Sequence, residues 1–321
     1  ARNEDFFCLR WGVPGFIRQH IIANTQSYVG GYFVGSEGYI PAKDYFTKTG
    51  AAVDWKYAFQ RQWLFYKLWG RLLYNPATTD QVFREAFIQR YGKKSEPLLS
   101  AYAHAGTVPL RLASSFDFSW DFSLYSEGFM AMNKQSMDYI SVDRQISQPP
   151  ADPAYVSTSE YVNTLSSGRS FSNDKITPPV LAGMLEKDCH TALRLVKNIK
   201  TAYHSSLMYE VADVKAWANL GLYFAEKLRG ALALQTYRLK GGEENKKKAV
   251  KHLQNSLHFW DEVVNITRPI YNDMPLAAYA YPHEGTLSNT DENKLFHWEK
   301  LRPEVAKDIA IARNAVALSL K

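Results

Sequence analysis

The chain has 321 residues, 46% of them hydrophobic, and a formal net charge of +6 at pH 7, which allows one large or two medium-sized domains. Its two cysteines, Cys8 and Cys189, are too few for a disulfide-stabilised scaffold. Lys or Arg interrupts every apolar run before membrane length, so we expect no membrane span. The sequence has no Walker A, GxGxxG or GxSxG motif, which argues against NTPases, dinucleotide-binding enzymes and elbow-type serine hydrolases.

Aromatic residues make up 14% of the chain. Most should belong to the core, but flat rings also suit sugars, so we expect some of them to line a groove. The eight histidines follow no metal-ligand spacing, so no metal or other cofactor is expected. Residues 240–251 concentrate the positive charge, and we interpret them as the solvated start of a helix rather than as a nucleic-acid site.

The first part of the chain reads as two strand–turn–helix units. A polar cluster and a short apolar stretch precede a helix that starts near Pro14. Residues 30–40 have the composition of a buried strand that ends in a glycine turn carrying Glu37. Large apolar side chains then recur at helical spacing over residues 54–74, and Pro76 ends that helix.

The middle of the chain is predicted to contain two helices followed by an irregular stretch. The pattern predicts helices over residues 78–92 and 96–114, the second interrupted at Pro109. Residues 116–122 alternate aromatic and polar side chains. The Pro- and Ser-rich stretch 141–179 is predicted to be an ordered loop without helix, packed over another part of the molecule.

The last part is predicted to be an α-helical bundle. Helices are expected over residues 177–201, 209–238 and 243–270, and from about 298 or 302 to 318, with a break at Gly241 and Gly242. The predicted fold class is therefore α/β followed by all-α. The predicted domains are the end of a (β/α)8-type barrel at 1–115, a loop-rich and aromatic-rich section over the barrel mouth at 116–175, and an α-helical domain at 176–321. A complete barrel needs about 250 residues, so either the chain is a fragment or its strands complete a sheet with another chain. We favour the fragment and expect an N-terminal segment outside this chain to supply the rest.

The candidate catalytic groups are carboxylates. A glycosidase needs two carboxyl groups that flank the scissile bond. Glu4 or Asp5, but not both, can face a pocket from an extended strand, and Glu37 lies on the turn after the next strand. The alternatives are a solvated N-terminal tail for the first pair and a surface turn for Glu37.

Further polar and aromatic residues complete the predicted site. Asp117, Asp121 and Glu127 alternate with aromatic residues, as in a sugar subsite, although a buried aromatic plug explains that pattern as well. We expect hydroxyl, carboxylate and stacking contacts with the substrate from the following residues: Arg2, Asn3, Tyr39, Lys43, Trp120 and Asp121.

Three segments together resemble the closing part of a bacterial glycoside hydrolase barrel. They are Arg2-Asn3-Glu4-Asp5, the stretch from Gly31 to Tyr39, and Trp69-Gly70-Arg71-Leu72-Leu73-Tyr74-Asn75-Pro76. The combination is similar to the α-glucuronidase families, glycoside hydrolase families 67 and 115. The resemblance implies a barrel followed by a helical region that mediates dimers, and a periplasmic or secreted bacterial protein.

The resemblance implies hydrolysis of an oligo- or polysaccharide that carries acidic sugars. Two other functions stay open. One is a non-catalytic carbohydrate-binding or scaffold role. The other is a helical polysaccharide lyase, in which a Tyr or His would abstract a proton α to a uronate carboxylate.

Overall fold

The computed structural model describes residues 8–32, 44, 46–48, 50–117, 124–133, 136–275 and 295–318. Helices dominate these residues, and none of the helices is long and apolar enough to cross a membrane. The helices are α1 (Pro14–Ala23), α2 (Ala58–Arg61), α3 (Trp63–Tyr74), α4 (Asp80–Tyr91), α5 (Leu98–Ala105), α6 (Thr107–Ser115), α7 (Val142–Ser147), α8 (Thr158–Ser166), α9 (Pro178–Val196), α10 (Ser206–Lys240), α11 (Glu243–Thr267) and α12 (Trp298–Asn314).

Strands are few and short in the described residues. An antiparallel sheet is formed by β1 (Leu124–Tyr125), β2 (Met130–Asn133) and β3 (Ser136–Tyr139) in that order. A second antiparallel pair joins β4 (Met274–Pro275) to β5 (Leu295–Phe296). Strands of two to four residues show too little alternation to be recognised from sequence, and the sequence pattern did not predict them.

The chain divides into two compact units that interleave along the sequence. Unit 1 comprises Ala1–Thr107, Asp188–Ala218 and Ile266–Phe296. Unit 2 comprises Val108–Lys187, Asn219–Asn265 and His297–Lys321. The boundaries at 187/188 and 218/219 fall inside helices, so one part of α9 and one part of α10 belong to each unit.

In unit 1, α3 presents a fully apolar face. Leu64, Leu68 and Leu72 recur every four residues, and each is buried. The N-terminal chain comes close to this face at Gly12, where a Cβ atom would lie 2.5 Å from Leu64 Cδ2. Only glycine allows the backbone to approach the helix so closely.

In unit 2, the core is shared by α7, the second half of α10, the first part of α11 and the end of α12. The contacts are mostly between small and branched side chains, which permits close helix packing. The buried members of this cluster are Val142, Ile146, Ala231, Leu234, Tyr237, Ala249, Leu253, Ile309, Ala312 and Ala315.

Replacing either of two helical glycines of unit 2 with alanine should change the free energy of unfolding, in opposite directions. A Cβ atom at Gly230 in α10 would lie 2.8 Å from Leu253 Cγ, whereas one at Gly183 in α9 meets nothing within 4 Å. We expect Gly230→Ala to lower the free energy of unfolding by about 1–2 kcal/mol through overpacking. Gly183→Ala should raise it by about 0.5–1 kcal/mol through helix propensity. Urea unfolding with an unchanged m-value measures both changes, and equal shifts in both variants would contradict the packing described here.

The predicted helical C-terminal part is confirmed. The helix predicted over 209–238 is observed at Ser206–Lys240, and the one over 243–270 at Glu243–Thr267. The predicted break is present, because Gly241 and Gly242 both have positive φ, 71° and 88°. The helix predicted to follow residue 78 is also present, as α4, and it ends before Gly92 with φ 80°.

Three sequence predictions were wrong in detail. The helix expected over 54–74 starts only at Ala58 and breaks at Gln62, so it forms α2 and α3. The expected interruption at Pro109 occurs at Gly106 instead, because Pro109 occupies the first turn of α6, where its missing N–H costs no hydrogen bond. The stretch 141–179 is not free of helix. It contains α7 and α8, whose N-caps Ser141 and Ser157 accept hydrogen bonds from backbone N–H groups.

The barrel units are not confirmed. Most of the predicted strand over 30–40 lies outside the described residues, and within the described parts of 8–117 the structure shows helices and isolated bridges at Thr47 and Ala52. The barrel, and the domain boundaries at 115 and 175, stay predictions.

Candidate active site

Every residue that the sequence nominates for the catalytic and substrate-binding set lies outside the described residues. These residues are Arg2, Asn3, Glu4, Asp5, Glu37, Tyr39, Lys43, Trp120 and Asp121. Their roles therefore stay predictions. The structure does describe the residues that follow or precede them in the chain and the side chains that hold those residues in place.

Two of these flanking positions meet at one buried guanidinium, that of Arg61 at the end of α2. Its Nη2 donates a hydrogen bond to the carbonyl oxygen of Cys8, the first described residue after Glu4 and Asp5. Its Nη1 lies 3.9 Å from Oδ1 of Asp44, the residue after Lys43. Arg61 therefore anchors the described ends of both segments that carry the predicted carboxylates.

Asp44 is held as an ionised carboxylate. Its Oδ1 accepts the backbone N–H groups of Phe46 and Thr47, each at 3.0 Å, and its Oδ2 accepts Trp55 Nε1 at 2.8 Å. Burial raises the pKa of Asp44, but the Arg61 charge and the hydrogen bonds from Thr47 and Trp55 bring it down to about 2. This turn is fixed by a charge that persists at all ordinary pH values.

A second buried cation, Arg10, lies two residues after Cys8. Its backbone N and its Nη1 both donate to Asp213 Oδ2, at 3.1 and 2.7 Å, and its Nε donates to the Arg61 carbonyl oxygen at 3.0 Å. Its guanidinium carbon also lies 4.8 Å from the centre of the Trp55 ring. Burial lowers the pKa of Arg10, but Glu210 and Asp213 raise it well above the ordinary value.

The two carboxylates that face Arg10 come from the first half of α10. Asp213 accepts the Tyr271 hydroxyl in addition to Arg10, although burial raises its pKa above the ordinary value. Glu210 Oε1 lies 3.5 Å from Arg10 Nε and accepts Trp63 Nε1 at 2.8 Å and the Tyr91 hydroxyl at 2.9 Å. Such a network is costly to leave half-satisfied, so its members depend on one another.

Several aromatic side chains contact Tyr32, which is the last described residue before the segment that contains Glu37. The Tyr32 ring stacks on Trp69 of α3, with centroids 5.9 Å apart and planes at 21°. The Tyr32 hydroxyl and His20 Nε2 are hydrogen-bonded to each other, and the His20 ring meets Trp69 edge-on. Helices α2 and α3 therefore hold both described flanks of residues 33–43, through Trp69 on one side and Arg61 on the other.

The buried charge network of Arg10, Glu210 and Asp213 stabilises the fold and does not supply reacting groups. Arg10, Glu210 and Asp213 are at most 1% exposed, so a polymeric substrate cannot reach them. Sequence reasoning missed them because each is a single charged residue, and Arg10 and Asp213 are 203 positions apart. No local motif could have identified the pair.

The structure describes part of the predicted aromatic subsite. Phe116, Tyr125 and Glu127 are buried, so the described part of this stretch fits the alternative interpretation as a buried aromatic plug. The Glu127 side chain is 0% exposed, which favours the buried plug over the sugar subsite for this residue. Asp117 is exposed, and its backbone N–H donates to the Pro149 carbonyl oxygen at 2.7 Å.

No protein-family profile matches the chain, and no curated protein matches it either. Among solved structures, the fold is similar to that of a GH138 enzyme described as targeting pectin rhamnogalacturonan II. The TM-score is 0.71 at 15% sequence identity, over 95% of this chain and 45% of that chain. The chain thus spans less than half the length of this neighbour and shares the fold of that part of a glycoside hydrolase. The similarity gives no support to membership of families 67 and 115.

Proposed function

We propose that this chain is part of a glycoside hydrolase that degrades a complex polysaccharide carrying acidic sugars. The observation that carries the proposal is the fold similarity to a glycoside hydrolase over 95% of the chain at a TM-score of 0.71. An α-glucuronidase-like specificity within this class rests on the motif resemblance alone.

The reaction is assigned to carboxylate acid/base chemistry by Glu4 or Asp5 together with Glu37. The described flanks support this assignment, because Cys8 and Asp44 both contact Arg61. Asp5 is three residues from Cys8 and Glu37 is seven from Asp44, so chain lengths of at most ~10 Å and ~25 Å separate them from that anchor. Glycosidase carboxyl groups need to lie roughly 5–9.5 Å apart, which these lengths allow.

The residues that the sequence predicts to bind the substrate keep that role in this proposal. A basic group beside the carboxyl pair would keep one carboxylate ionised and bind a carboxylate of the substrate. We assign these contacts to Arg2, Asn3, Tyr39, Lys43, Trp120 and Asp121. The rest of a barrel would come from a segment outside this chain, and a polymeric substrate implies a periplasmic or secreted location. A homodimer through the helical region remains part of the proposal.

The test uses the complete protein that contains this chain and three polymers: rhamnogalacturonan II, glucuronoxylan and a neutral galactan. We expect new reducing ends from an acidic polymer and none from the galactan. Reducing ends from the galactan alone would contradict the acidic-substrate proposal. Reducing ends accompanied by near-ultraviolet absorbance would indicate a lyase, and binding without turnover would indicate a scaffold.

A further inference from the structure

Unit 2 carries an exposed cationic surface where α10 ends and α11 begins. We call Lys240, Lys247, Lys248 and Lys251 the lysine surface. All four side chains are exposed, and within the described residues none of them forms an ion pair. Lys246 differs from them, because its Nζ donates to the Ala315 carbonyl oxygen at 3.0 Å and lies 5.3 Å from the centre of the Tyr237 ring.

The charge of this surface is not balanced locally. Residues 240–251 hold five lysines and two glutamates, so half of the net charge of +6 lies in this short segment. The first turn of α11 adds the positive end of its helix dipole, which Glu243 and Glu244 offset in part. The result is a localised positive potential on an otherwise nearly neutral chain.

The same side of α11 continues as a row of hydrogen-bonding groups. Lys248, His252 and Asn255 follow one another at four- and three-residue steps and so share a face. His252 Nδ1 and Asn255 Nδ2 contact Glu226 Oε2 at 3.0 and 2.9 Å, and Arg229 Nη1 donates to Glu226 Oε1 at 2.6 Å. Burial raises the pKa of Glu226, but the hydrogen bonds from His252, Asn255 and Arg229 bring it down to about 2.

The geometry of this row suits a sugar chain. Glu226 is about nine-tenths buried, and it fixes His252 and Arg229, whose side chains stay roughly 30% exposed. Imidazole and amide groups bind hydroxyls, and an ammonium group binds a carboxylate as a point charge, whereas the Arg229 guanidinium is already paired with Glu226 and Glu186. Lys247 and Lys251 are one helical turn apart on the same face of α11, so both ammonium groups can contact one polymer chain.

We propose that the lysine surface binds an anionic polysaccharide of the polyuronate type through the carboxylates of successive sugars. The proposal rests on the proposed function for its choice of polyanion. Lysine binds carboxylate and phosphate alike as a point charge, so the proposed function selects the polyuronate, and duplex DNA is the competing polyanion in the test.

The experiment compares three forms of the whole chain: the unmodified chain, K247Q/K248Q/K251Q, and the matched control K56Q/K93Q/K197Q. The control removes the same charge from exposed lysines elsewhere. The probes are de-esterified homogalacturonan, fully methyl-esterified homogalacturonan with the same backbone, and duplex DNA. Calorimetric titration at several salt concentrations gives the dissociation constants.

We expect the first variant to bind de-esterified homogalacturonan about 10-fold more weakly, with a shallower salt dependence, because three cationic contacts and their counterion release are lost. The control should bind within about twofold of the unmodified chain, and the esterified polymer should bind to none of the three. Equal weakening in both variants, or tighter binding of DNA than of the polyuronate, would overturn the proposal. If this pattern holds while the complete protein hydrolyses nothing, the proposed function fails and the binding surface stands.

Discussion

Replacing Arg10 with methionine should lower the free energy of unfolding by about 3–5 kcal/mol, because it leaves Asp213 and Glu210 buried without the cation that contacts both of them. Arg10 is 1% exposed and both carboxylates are 0% exposed. The loss should also release the Arg61 carbonyl oxygen, which accepts Arg10 Nε at 3.0 Å. Urea unfolding monitored by tryptophan fluorescence measures the change.

The matched control is Arg302→Met. Arg302 also binds an aspartate with two nitrogens, at 2.6 and 3.0 Å from Asp261, but this pair is at the surface, where the two side chains are 46% and 34% exposed. Surface pairs contribute about 0–1 kcal/mol, so the control should be nearly neutral. Equal losses in the two variants would mean that Arg10 does not hold the buried network together.

Replacing Glu37 with glutamine should lower turnover of the polysaccharide about 10²–10⁴-fold, because an amide can act neither as acid nor as base. The proposed role of Glu37 is chemical, and the described contacts of the buried network around Arg61 are made by other residues. The melting temperature should therefore change little. Reducing-end release by the complete protein, together with a thermal unfolding curve, measures both quantities.

Glu96→Gln provides the comparison, since Glu96 is exposed and precedes α5. It should keep the activity of the unmodified protein. Full activity of Glu37→Gln would remove Glu37 from the catalytic pair. A large fall in its melting temperature would instead assign it a structural role.

The helices were largely predictable because their signals are local. The apolar periodicity of α10 and α11 and the two glycines between them place both helices to within a few residues. The breaks at Gln62 and Gly106 were not predictable in this way, because tertiary packing decides where a continuous apolar pattern is interrupted.

The buried network could not be predicted because its partners are remote in sequence. Cys8, Asp44 and Arg61 come together with Asp213 and Tyr271 only in the folded chain. The sequence nominates Glu4, Asp5 and Glu37 by composition and turn chemistry alone. The described structure adds that the chain on either side of residues 33–43 is held by α2 and α3, through Arg61 and Trp69.

The claim that this chain belongs to a glycoside hydrolase is tested most directly by the fate of a water molecule. The complete protein is incubated with rhamnogalacturonan II in water enriched in the heavy oxygen isotope, and the products are analysed by mass spectrometry. Hydrolysis adds one water across the glycosidic bond, so we predict that each released fragment pair gains one heavy oxygen. Fragments that contain no added water and carry a double bond would contradict the claim, because they are the products of elimination.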